Sequence, residues 1–179
     1  MSGFGINERK TKKSEEKKIR TLQRDKLISN AFSLHSSGKI KQAADIYNFL
    51  IQNKIYDPRV FNNLGSIYSN LKQFDKAILL FDESIKRFPN SPEAYTNLAN
   101  VMVIKGRSDI AKGILNKSIE LNPKYLKPYS NIAGIFVGEG NFEKAEFFLR
   151  KSLEISPKDT NTLVNLACVL KDLGDPKQA

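Results

Sequence analysis

Large apolar side chains recur along the chain with helical spacing, and that spacing itself repeats. Phe61, Leu64, Gly65 and Tyr68 stand at offsets 0, 3, 4 and 7, one apolar stripe of a 3.6-residue period. Phe74, Ala77, Ile78, Phe81 and Ile85 make a second such stripe. The two predict a helix from Pro58 to Leu71 and another from Phe74 to Phe88. Pro58 and Pro92 suit a first helical turn, where the missing N–H has no intrahelical partner to lose. Moved by 34 residues, Phe61 becomes Tyr95, Tyr129 and Leu163, and Leu64 becomes Leu98, Ile132 and Leu166. A period of this length, holding two amphipathic helices, predicts an all-α solenoid in which each unit packs on its neighbours. The units are 24–57, 58–91, 92–125, 126–159 and a partial 160–179, within an array spanning 22–179.

The positions between the stripes agree with this reading. Gly38, Gly106, Gly140 and Gly174 mark the turn inside each pair, where glycine takes a left-handed conformation at no steric cost. Lys72 holds that place in unit 58–91. Pro89, Pro123 and Pro157 follow second helices and help to stop them. Small residues keep one site on each helix: Ala31, Gly65, Ala99, Ala133 and Ala167 on the first, and Ala43, Ala77, Ala111, Ala145 and Ala179 on the second. Facing small residues predict close helix crossings.

With these residues in hand, the chain resembles the tetratricopeptide repeat (TPR) proteins. Unit 126–159 carries the family's positions as Tyr129, Ile132, Ala133, Phe136, Gly140, Phe142, Ala145, Leu149, Ser152 and Pro157, and unit 58–91 carries most of them. Unit 24–57 departs from the pattern, with Ile55 where later units have proline. The resemblance implies a right-handed superhelical solenoid of antiparallel helix pairs, with the first helices on the concave side. It also implies protein or peptide binding in that groove.

Packing accounts for most of the repeated positions, but not for Asn63, Asn97, Asn131 and Asn165, one per first helix at a spacing of 34. Asparagine is a mediocre helix former, and its amide donates and accepts at once. A ladder of amides along a groove would hold a peptide backbone without reading side chains. The same amides could instead bond between helices and stabilise the stack, and both roles can hold together. The ladder is similar to that of the O-linked N-acetylglucosamine transferase repeats and of bacterial repeat-containing transferases. That resemblance implies an alternative, the non-catalytic, substrate-recruiting front of a larger glycosyltransferase or sulfotransferase. Arg59, Ser66, Asn100 and Lys127 stand near the ladder as residues that would tune partner choice, and Glu93 interrupts a uniformly positive groove. The Lys and Asn set of a chaperone carboxylate clamp is not met, since Asn62 and Ser66 occupy its leading positions.

Charge changes the picture at one end only. The net charge is +10, and residues 1–26 hold nine Lys or Arg against four Asp or Glu. The run "RKTKKSEEKK" reads as a flexible basic tail over 1–21, too poor in apolar side chains to order itself. It has no interleaved aromatics for base stacking, so nucleic acid is not the expected partner. One cysteine, Cys168, fits a reducing compartment, and no apolar run is long enough to span a bilayer. The chain reads as cytoplasmic. His35 and Cys168 stand without companions at metal-ligand or catalytic spacing, so no catalytic residue, metal or cofactor is expected. The chain stops at "GDPKQA", inside a predicted helix. This leaves an apolar flank on the last repeat, a route to self-association, and suggests a fragment, a truncated gene product or the front of a longer protein.

Overall fold

A computed structural model describes residues 21–174, and all regular structure in them is helical. Helix α1 is described over 21–36. It is followed by α2 (Ile40–Gln52), α3 (Pro58–Asn70), α4 (Phe74–Arg87), α5 (Pro92–Ile104), α6 (Ser108–Leu121), α7 (Lys127–Gly138), α8 (Phe142–Ile155) and α9 (Thr160–Asp172). The expected ends at Leu71 and Phe88 are instead C-caps, each one residue past the helix. Helix α7 starts at Lys127 with Pro128 in its first turn, because Leu126 occupies the place that Pro58 and Pro92 hold in earlier units. The basic tail lies outside the described residues except for Thr21, which is helical. Ala179 lies outside them as well.

Turn chemistry closes each pair as expected. Gly38, Gly106, Gly140 and Gly174 have φ of 72–78°, and Lys72 takes the same left-handed conformation at φ 58°. A side chain in that conformation costs about 1–2 kcal/mol, which the flanking helices override.

Neighbouring helices pack antiparallel through three linked apolar clusters. The small sites are fully enclosed: Ala31, Ala43, Ala77, Ala99, Ala111 and Ala145 are all 0% exposed. At Gly65 the approach is closest, since a Cβ there would meet Phe81 Cε1 at 2.5 Å. Units 92–125 and 126–159 combine alanine with a slimmer partner, Ala99 with Leu115 and Ala133 with Leu149, whereas unit 24–57 sets Ala31 at the register of Tyr47.

Successive first helices also pack on one another, α3 on α5 and α5 on α7, whereas α4, α6 and α8 make no comparable contact among themselves. The first helices therefore line the inside of the curve, which places their polar face as the candidate site. At the far end, Leu163 and Val164 of α9 are 45% and 57% exposed. Their counterparts Tyr129 and Ser130 are buried and half-buried. The expected apolar flank is thus present.

Candidate functional site

The polar face of the first helices converges on a pocket of about 460 Å³ to which α1, α3, α5 and α7 all contribute. Five of the eight residues singled out from the sequence line it: Arg59, Asn63, Ser66, Asn97 and Lys127. Asn100 and Asn131 are joined to each other, Asn131 Nδ2 donating to Asn100 Oδ1 at 2.6 Å. Asn165 lies in a separate, more apolar pocket of about 210 Å³ with Ser130, Gly134 and Cys168.

The four repeated asparagines do not form one uniform ladder. Asn63 Nδ2 donates to Tyr47 Oη at 3.1 Å, and Tyr47 is 0% exposed. Burial pushes the Tyr47 phenol above its usual range, and the Asn63 bond partly opposes this. Asn63 is thus committed to the stack, while Asn131 is committed to its neighbour on α5. The side chains of Asn97 and Asn165 make no hydrogen bond among the described residues. Asn63 and Asn131 thus take the stacking role that the sequence left open, and Asn97 and Asn165 do not.

Arg59 is more constrained than expected. Asp57 caps α3, accepting from the Arg59 backbone N–H at 2.9 Å. The Arg59 guanidinium grips the same carboxylate at 2.8 Å through Nε and 2.8 Å through Nη2. It also reaches Asp25 of the preceding unit at 3.3 Å. Burial alone would raise the Asp57 carboxyl, but its bonds to Arg59 outweigh burial and hold it below its usual value. The Arg59 guanidinium is raised in turn, first by the Asp57 bond. This residue serves as a strut between units and has little charge left for a partner. Ser66 Oγ likewise spends its proton on the Asn62 carbonyl at 2.8 Å.

Six lining residues were not among the site residues singled out in the sequence: Phe32, Pro58, Asn62, Ser91, Glu93 and Tyr125. Asn62 is 9% exposed, and its Oδ1 is buried with no hydrogen-bond partner. Its register supplied a clue, because Thr96 follows it by one period and meets Ser118, one of the recurrent serines Ser84, Ser118 and Ser152. Burial, then the charge of Glu93, pushes the Tyr125 phenol up to about 12. Lys127 is exposed and has no ion pair among the described residues.

Family models described as tetratricopeptide repeat match residues 58–91, 80–113 and 126–159. Together they take in half of the chain, and two of them coincide with units delimited here from the period alone. The chain belongs to the tetratricopeptide repeat family. The middle match starts within α4 and so reads the repeat out of phase. No curated protein matches this TPR chain.

Solved structures match it as folds. TTC0263, a thermophilic TPR protein of Thermus thermophilus, is 17% identical with a TM-score of 0.74, over 87% of this chain and 85% of that one. MamA is 18% identical with a TM-score of 0.68, over 83% and 86%. The first TPR of Spaghetti (RPAP3), bound to an HSP90 peptide, is 22% identical with a TM-score of 0.61, over 65% and 95%.

Among the described residues no group of three or more His, Cys, Asp or Glu is placed to hold a metal ion. No helix among them is long and apolar enough to cross a membrane.

Proposed function

We propose that this TPR chain is a binding scaffold that holds an extended polypeptide segment of a partner protein along its first helices. The observation that carries the reading is the free amide of Asn97 in a pocket shared by four first helices. A carboxamide with both its donor and its acceptor unused matches one peptide unit of an extended chain. Asn62 and Tyr125 add polar atoms beside it, and Phe32, 58% exposed, supplies an apolar wall. Such a surface recognises backbone first and side chains second. The similarity in fold to the RPAP3 repeat domain, which was solved with the HSP90 peptide SRMEEVD, supports the capacity of the architecture for this task. The transferase alternative drew on a ladder of four equivalent asparagines, which Asn63 and Asn131 do not keep, and is not taken further.

Amide chemical-shift mapping with a mixture of unstructured peptides tests the proposal. Perturbations running along the polar face of α3, α5 and α7 are expected. Perturbations confined to the second helices, or none at all, would overturn it.

A further inference from the structure

One register position on the first helices carries Asp25, Arg59, Glu93 and Lys127 in successive units. The sign of the charge reverses at every step. The front of this series is satisfied internally, because Arg59 is paired with Asp25 at 3.3 Å and with Asp57 at 2.8 Å. The back is not. Glu93 receives only the Ser91 hydroxyl, at 2.8 Å, and no cation among the described residues. Lys127 has no carboxylate partner among them. Both line the 460 Å³ pocket, as does Asn62, whose buried Oδ1 has no donor.

We infer that the groove is addressed to an extended segment carrying one acidic and one basic side chain three residues apart, the acid meeting Lys127 and the base meeting Glu93. The spacing follows from geometry. Directly packed helices lie about 8–10 Å apart, and α5 packs on α7. In a polyproline-II segment the side chains at i and i+3 share a face about 9 Å apart. The charge pair therefore sets register and direction, while the Asn97 amide holds backbone. This inference rests on the peptide-binding reading given above.

The test uses short labelled Pro/Ser peptides with Glu and Lys at i and i+3 in either order, together with all-Glu, all-Lys and uncharged versions. Fluorescence anisotropy is read at low and high salt. One charge order binds about ten-fold tighter than its reverse, since two partly exposed pairs are made in one order and two like-charge contacts in the other. High salt reduces the difference. The double reversal E93K/K127E exchanges the preferred order, and E93Q/K127Q abolishes the preference. Equal binding of both orders, or a preference that the double reversal leaves unchanged, overturns the inference. If the uncharged peptide binds as well as the best charged one and Asn97→Ala weakens both, backbone holding stands and the charge reading falls. If no peptide binds, both fall.

Discussion

In unit 92–125, Thr96 and Ser118 share a buried polar contact. Thr96 Oγ1 donates to the Pro92 carbonyl at 3.0 Å, and Ser118 Oγ reaches the same carbonyl at 2.8 Å and the Thr96 hydroxyl at 2.9 Å. Pro58, Asn62 and Ser84 hold the equivalent places one unit earlier. There Asn62 Oδ1 and Ser84 Oγ are both buried and both unpartnered. Asn62→Thr transplants the working arrangement. Two protons become satisfied at about 1 kcal/mol each, and one orphaned acceptor worth about 1–3 kcal/mol disappears. Asparagine and threonine have similar helix propensities, so little is lost there. Allowing for imperfect repacking, the expected gain is about 1–2 kcal/mol, or about 3–6 °C in Tm for a chain of this size.

Calorimetry and urea denaturation read the gain, and a double-mutant cycle with Ser84→Ala identifies its source. Ser84→Ala is near neutral in the natural chain, where the hydroxyl has no partner. In the Asn62→Thr background it costs about 1 kcal/mol. A Tm that stays level or falls in Asn62→Thr, or a Ser84→Ala effect equal in both backgrounds, would refute the reasoning. The same substitution removes a groove amide and weakens peptide binding, so stability and binding move in opposite directions, as expected where a polar group is kept for function.

Asn63→Ala strips a donor from the buried Tyr47 hydroxyl and lowers stability by about 1–2 kcal/mol, whereas Asn97→Ala changes it by less than about 0.5 kcal/mol; paired thermal melts separate them. Gly65→Ala drives a methyl group into the enclosed Phe81 ring, and overpacking of about 1–3 kcal/mol exceeds the roughly 1 kcal/mol gained in helix propensity. Adding Phe81→Leu recreates the Ala99–Leu115 combination and recovers most of the loss in urea melts. Asp57 is held below its unfolded value, so the stability from its cap and ion pair is present above about pH 4 and is lost as pH falls through the lower folded value. Asp57→Asn therefore lowers stability at neutral pH and flattens the acid limb of a Tm–pH curve.

The repeat was legible in the sequence because its signals are redundant. Turn glycines, helix-stopping prolines and the alanine sites each report the same period, and a local departure such as Lys72 is absorbed by the helices around it. Helix ends missed by one residue because Leu71 and Phe88 continue the apolar pattern while their backbones already act as caps. The pocket was legible in part. Register alone put Asn63 and Asn97 on one face, but it could not show that Tyr47, sixteen residues away on α2, takes the first amide. Arg59 looked like a free cation because Asp57, two residues away, becomes its partner through the local cap of α3, and Asp25 joins only when α1 and α3 come together. Asn62 was hidden by its neighbour Asn63, although the recurrent buried serines on the second helices were the signal that a polar partner belonged at its position.

The account stands on the claim that amides on the first helices hold peptide backbone. Its most direct measurement is the affinity of a diverse peptide set for the natural chain and for Asn97→Ala/Asn131→Ala, after melts show that both are equally folded. The account predicts weaker binding across the whole set, regardless of peptide sequence. Unchanged affinities in the folded variant would contradict it.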